Sequence, residues 1–214
     1  GTAVGTVTSR NVAATSLAAR MRRLGYVSAA TAGSLAELRF PVLQYTSGSG
    51  SDDGSGVFAV WRFIPSNAAA VSGERFFVGF TNVTTAATNV EPSSTTQTIG
   101  IAQLSTDSTQ WYLVYGGTSA QTPIALGTAL GSPATLSTVA WEVAIYAPPL
   151  VANTWTVQVT NLTTKAQVIQ TVSGVSGVVP QSSTLLAPRM WKTNNATAAA
   201  VAFDLASLYI ETDY

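Results

Sequence analysis

Ten carboxylates are the only familiar acid–base groups in this chain, because its 214 residues include neither histidine nor cysteine. They are Glu37, Asp52, Asp53, Glu74, Glu91, Asp107, Glu142, Asp204, Glu211 and Asp213. Without imidazole there is no Ser-His-Asp triad and no histidine to bind a metal. Without thiols there is no disulfide framework and no thiolate zinc site. A glycoside hydrolase needs two carboxyl groups about 5 to 10 Å apart across a cleft. On one strand face they would recur at i and i+2 or i+4. Glu211 and Asp213 have the shorter spacing, but they stand at the chain end, where solvent reaches them. Asp52-Asp53-Gly54 would ligate calcium only if other oxygens converged on it, and it reads as a solvated loop. The residues therefore predict no catalytic group, no metal site and no cofactor. Arg62 and Glu142 each interrupt an apolar run, and a charge placed there needs a partner. Arg62 is expected to pair with Glu142 or Asp204 across a sheet, or to sit at a subunit interface.

The composition points the same way. Hydrophobic residues make up 46% of the chain and charged residues only 9%, with ten basic side chains balancing ten acidic ones. No basic field exists to attract nucleic acid or an anionic membrane, so neither is an expected partner. No run of eighteen apolar residues predicts a membrane-inserted helix. So apolar a chain with so few charges is expected to share surface with copies of itself. Residues 1–10 lack the basic-then-apolar layout of a signal peptide, and the start reads as that of a fragment of a longer protein.

Two patterns organise the chain. Asn11 is a plausible N-cap, and Ala13, Leu17, Met21 and Leu24 follow at helical spacing, with Arg20, Arg22 and Arg23 in the last turn and Gly25 beyond. The spacing predicts a helix over 11–24 within a connector spanning 1–37. Strand patterns then run to the end. They cover 39–44, 57–64, 75–80, 98–104, 110–115, 141–146, 155–161, 167–172, 184–192 and 200–211, with Gly, Pro, Asn and Ser between them. This is an all-β class, an antiparallel sandwich over 38–214. Trp61, Trp111, Trp141, Trp155 and Trp191 fall mostly in strands and read as core, their indole N–H groups reaching backbone carbonyls. Trp191, beside the amide-rich run Lys192-Thr193-Asn194-Asn195, is the best placed to stack on a sugar, which requires an exposed ring.

Several segments carry a resemblance. RRLGYVSAATAGSLAELR (22–39), WRFIPSNAAAVSGERFFVGFTN (61–82), NVEPSSTTQTIGIA (89–102), LLAPRMWKTNNATA (185–198) and FDLASLYIETDY (203–214) resemble the C-terminal parts of bacteriophage and prophage tail fibres and related virion appendages. The resemblance implies a jelly-roll domain of concanavalin-A-like lectin architecture at the distal end of a homotrimeric fibre. It implies a place in the virion after assembly in the host cytoplasm, a join to the rest of the fibre through the N-terminal segment, and recognition of a host surface polysaccharide. On that reading the residues expected to meet the glycan are Asn82, Asn89, Tyr115, Trp191, Asn194 and Asn195. Two other readings stand beside it: a structural trimerisation or capping domain, and a polysaccharide depolymerase with a site shared between subunits.

Overall fold

In a computed structural model of the chain, residues 1–51, 54–134 and 137–212 are described. Asp52, Asp53 and Asp213 lie outside them, and with these the candidate calcium loop and the terminal carboxylate pair.

The chain builds fourteen strands: β1 (Thr2–Val4), β2 (Thr6–Ser9), β3 (Leu24–Val27), β4 (Leu35–Arg39), β5 (Val57–Pro65), β6 (Arg75–Thr81), β7 (Thr98–Leu104), β8 (Asp107–Gly116), β9 (Ile124–Ala125), β10 (Trp141–Ala147), β11 (Thr154–Asn161), β12 (Gln167–Ser173), β13 (Ala187–Thr193) and β14 (Ala202–Glu211). They form two seven-stranded antiparallel sheets. The first has the order β1-β4-β13-β6-β7-β8-β9 and the second β12-β11-β10-β5-β14-β3-β2. This is the sandwich that the alternating apolar pattern predicts.

Alternation decides which side chains face inward. On β10, Trp141, Val143 and Ile145 enter the core while Glu142, Ala144 and Tyr146 face out. The core between the sheets holds Trp61, Phe63, Phe76, Phe80, Trp111, Trp141, Trp155 and Phe203 with aliphatic residues around them. Phe76 packs 5.6 Å from Phe203 and 5.7 Å from Trp111, so one aromatic array joins both sheets. The Trp155 indole donates to the Pro180 carbonyl at 3.1 Å, as expected. Those of Trp111 and Trp141 find no such acceptor among the described residues, and the two rings meet edge to face at 5.5 Å instead.

The N-terminal segment departs from the expectation. The only α-helix among the described residues, α1, covers Leu17–Arg20, not 11–24. Ser16 caps it, accepting from the Ala19 N–H, and Leu24 already belongs to β3. Nor is 1–37 a separate connector. β1 pairs with β4 at the edge of the first sheet, and β2 pairs with β3 at the edge of the second. Gly5 carries the chain between the two sheets at φ +86, and a Cβ there would meet the Val27 carbonyl oxygen at 2.4 Å. Only glycine fits that step.

Arg62 and Glu142 are register partners on β5 and β10 and form an ion pair at 2.6 Å. They lie on the outer face of the second sheet, with Arg62 about half exposed, so the pair is solvated and not buried. Asp204 takes Arg10 and Arg23 instead.

Candidate functional site

Between β6 and β7 the chain makes a detour over 82–97 across the outer face of the first sheet. A connection of that length is uncommon in a packed domain, and this one is ordered in part by a 3-10 turn at Pro92–Ser94. Beneath it, alternation turns Phe77 and Thr81 of β6 and Arg189 and Trp191 of β13 outward, while Phe76, Val78 and Met190 enter the core.

Two ionic clamps hold the loop. In the first, the Glu37 side chain, 0% exposed, accepts from Arg39 Nη1 at 2.9 Å and from Arg189 Nε at 2.7 Å. It also accepts from the backbone N–H of Ala87 at 3.1 Å. Arg189 then donates to the carbonyls of Val83 at 3.2 Å and Thr85 at 2.7 Å. Burial pulls the Arg189 guanidinium below its ordinary value, and Glu37 beside it opposes that shift. In the second clamp, Arg75 pairs with Glu91 at 2.7 Å and donates to Asn89 Oδ1 at 2.7 Å. Glu91 also accepts from the Ser105 N–H and hydroxyl at 3.0 and 2.6 Å. The loop is thus tied at 83–87 and again at 89–91.

Between loop and sheet is a groove of about 270 Å³. Phe77 and Trp191 contribute its aromatic side, and Val83, Ala86, Ala87 and Val90 its apolar wall. Thr81, Thr85, Thr88, Thr95 and Thr98 also line it, with the hydroxyls of Thr95 and Thr98 donating to the carbonyls of Pro92 and Phe80 and that of Thr81 accepting the Val83 N–H. No carboxylate lines it, and Arg189 is engaged by Glu37 and the loop carbonyls. An apolar surface interleaved with hydroxyls suits a neutral polyhydroxylated ring, whose C–H face packs on carbon while its hydroxyls exchange hydrogen bonds. It offers no pair of groups for acid–base chemistry. Among the described residues no three of His, Cys, Asp and Glu gather as a metal site would require.

The residues expected to meet a ligand are only partly brought together. Asn89, Asn194 and Asn195 converge at one end of the loop, but the amides of Asn89 and Asn194 serve the protein. Asn89 Nδ2 donates to the Asn195 carbonyl at 3.4 Å, and Asn195 holds a turn at φ 52. Asn194 is 0% exposed, with Nδ2 donating to the carbonyls of Thr31 and Ala199 at 2.8 Å each, so it cannot read a sugar hydroxyl. Trp191 is 4% exposed and stacked on Phe77 at 6.2 Å. It lines the groove without presenting a free ring face, and a stacking platform is corrected to a groove wall. Asn82 is exposed at the start of the loop, its backbone tied to Gln97. Tyr115 packs against the core on the other side of the sheet and does not reach the groove.

Exposed aromatics lie elsewhere, on the outer face of the second sheet. The pairings align Glu211, Phe58, Tyr146, Thr156 and Thr171 in one row across five strands. Tyr209, Val60, Ala144, Gln158 and Ile169 form the next. Tyr146 is 43% and Tyr209 53% exposed, and both meet Phe58 edge-on at 6.2 and 6.4 Å. Strand alternation in WEVAIYA already marks Tyr146 as outward.

The architecture is shared with legume lectins. The lectin UEA-II, solved in complex with galactose, superposes with a TM-score of 0.59 at 15% identity, over 98% of this chain and 92% of that one. The Lotus tetragonolobus seed lectin gives 0.56 at 12% identity, over 97% and 92%. Alginate lyase A1-II′, of polysaccharide lyase family 7, gives 0.54 at 11%, over 89% and 80%. At these identities the likeness establishes the fold, a lectin-type jelly roll. No protein-family model and no curated protein matches the sequence.

Proposed function

We propose that this chain is a carbohydrate-binding head of a bacteriophage or prophage tail appendage, recognising a neutral stretch of host surface polysaccharide as a homotrimer. The observation that carries the reading is the clamped groove under 82–97. It is preorganised by two ion-pair networks and lined with threonines and aromatic carbon, and its one charged lining residue, Arg189, is turned to Glu37 and the loop carbonyls. A fold shared with lectins and a polysaccharide lyase supports a saccharide as the occupant, and the resemblance of the sequence to tail fibres supports the host surface as its source. The lining supports binding without turnover, because no carboxylate faces the groove.

The outer face of the second sheet supplies the contact between copies on this reading. It is five strands wide and centred on Phe58, Tyr146, Ile169 and Tyr209, and apolar exposure of this kind marks protein association surfaces. The N-terminal segment then leads toward the rest of the fibre from the sandwich edge.

Two measurements test these assignments. Ala86 is an exposed residue on the groove wall, so Ala86→Trp fills the space without entering the core. Titration against a panel of bacterial surface polysaccharides should show binding weakened roughly tenfold or more, about 1.4 kcal/mol, with an unchanged melting temperature and no new reducing ends from either protein. Undiminished binding by the filled groove would move the site elsewhere. Tyr146→Glu combined with Ile169→Glu should convert an assembled species into monomer by light scattering. An unchanged mass for that double variant removes this face from the assembly.

A further inference from the structure

Between the sheets, on the opposite face of β13 from the groove, four polar side chains meet at the aromatic core. Lys192 of β13 points inward and is 0% exposed, its Nζ 5.4 Å from the centre of the Phe76 ring. That nitrogen lies 3.1 Å from Oε1 of Glu74 and 2.9 Å from Oδ1 of Asn67, both buried. Asn67 Nδ2 donates to the other oxygen of the same carboxylate, Oε2 of Glu74. Asn67 Oδ1 also accepts the backbone N–H of Ala202 at 2.7 Å, and Gln103 Nε2 donates to Glu74 Oε1 at 3.2 Å.

A buried ion pair requires an amine and a carboxylate. It does not require a carboxamide whose carbonyl faces the amine and whose nitrogen faces the carboxylate. That arrangement supplies the parts of an acyl transfer: a nucleophile, a polarised carbonyl with a backbone donor where the oxyanion develops, and one carboxyl group touching both the attacking and the leaving nitrogen. We propose that Lys192 and Asn67 join in an intramolecular isopeptide bond, with Glu74 carrying the proton between the two nitrogens.

The step balances without any co-reactant. Proton transfer from the Lys192 ammonium to Glu74 leaves a neutral amine whose lone pair attacks Asn67 Cγ, and the charge that develops on Oδ1 is held by the Ala202 N–H. Glu74 delivers that proton to Nδ2 and takes a second from Nζ. The Cγ–Nδ2 bond breaks, ammonia leaves, and a secondary amide links Nζ to Cγ. Burial favours the reactive form, since desolvation pushes the Lys192 ammonium below its ordinary value against the opposing pull of Glu74. Holding both partners in contact removes the entropy of encounter. The product also replaces a buried ion pair by a neutral amide, lifting the cost of desolvating two charges.

The placement gives the bond a mechanical meaning. Asn67 follows β5 of the second sheet, Lys192 belongs to β13 of the first, and 125 positions separate them. The bond would staple one sheet to the other and close a long loop of the unfolded chain, as a disulfide does. A chain without cysteine would thereby hold a cross-link insensitive to reduction.

Intact mass measurement of the full chain under denaturing, reducing conditions tests this. The expected mass is lower than that of the sequence by one ammonia, and proteolysis should release a branched peptide joining the Asn67 and Lys192 segments. Lys192→Met and Glu74→Ala should show their full sequence masses. Asn67→Asp, with the same shape and hydroxide as the leaving group, should lose one water. A wild-type chain at its full sequence mass overturns the proposal, whatever the variants do. So does a loss of ammonia that persists in Lys192→Met, which would place the chemistry at another asparagine.

Discussion

Glu37→Ala is expected to lower the stability of the fold by about 3–5 kcal/mol, the usual cost of removing one partner from a buried ionic network. The side chain is 0% exposed and faces two guanidinium groups, Arg39 and Arg189, the second of which is itself buried. Removing the carboxylate leaves the Arg189 charge inside the protein with only the Val83 and Thr85 carbonyls to satisfy it. It also strands the Ala87 N–H. Because total stabilities are of order 5–15 kcal/mol, a loss of this size is a large fraction of the whole. Urea denaturation should show the midpoint falling with little change of slope. Polysaccharide binding should fall with it, because the stretch 83–87 that walls the groove hangs on the same network. Glu37→Gln separates the two contributions. It keeps an acceptor for Ala87 but removes the charge, so it should retain more of the loop's order than alanine while still leaving Arg189 unneutralised. A loss below about 1 kcal/mol for Glu37→Ala would mean that the pair behaves as a surface ion pair and that packing holds the loop.

The groove was only half legible in the sequence, and the reason lies in β13. APRMWKT is buried at all seven positions, because the core covers one face of that strand and the 82–97 loop covers the other. A strand covered on both sides shows no polar-apolar alternation, so nothing in the residue types says that Trp191 faces the groove or that Lys192 faces the core. The amides of Asn194 and Asn195 read as ligands for the same reason. Whether an asparagine meets solvent or a neighbouring carbonyl depends on chain crossings more than a hundred residues apart, such as Asn194 with Thr31. The strands β5, β10 and β11 were legible because the outer face of their sheet is largely uncovered, which keeps the period of two along β10, β11 and β5 as far as Phe63; it lapses at Ile64, which packs against Ala18 and Ala140.

The helix over 11–24 failed on a different principle. Ala13, Leu17, Met21 and Leu24 do keep helical spacing, but local propensity is weak against long-range pairing. Arg10 and Arg23 each reach Asp204, and β3 pairs with β14, so the chain is drawn into extended structure by Leu24. Gly25, placed by its sequence context as a helix terminus, is a strand residue whose missing side chain makes room for Arg10. A Cβ there would come within 2.2 Å of the Arg10 Nε.

Asp204→Ala tests that account directly, with an expected loss of roughly 2–4 kcal/mol, set below the full cost of a buried pair because Arg10 and Arg23 retain some access to water. Asp204 is buried on β14, where Oδ1 accepts from Arg10 Nε at 3.0 Å and from the Ser66 hydroxyl at 2.7 Å. Its Oδ2 accepts from Arg23 Nε at 2.7 Å. One carboxylate therefore neutralises two arginines and fastens the start of the chain to the sandwich. Without it, two like charges remain side by side against β14, and the pairings of β2 with β3 and β3 with β14 lose their anchor. Two signatures should appear together: a lower melting temperature for the whole domain, and faster hydrogen exchange and proteolysis within 1–27. Asp204→Asn, which keeps acceptors but not charge, should fall between. If 1–37 were an independent connector, the variant would free the N-terminal segment while the body melted unchanged, and that combination would refute the woven arrangement. A single cooperative transition shifted downward is the expected result, because β1 and β2 close the edges of both sheets and their loss exposes backbone that the sandwich must otherwise pair.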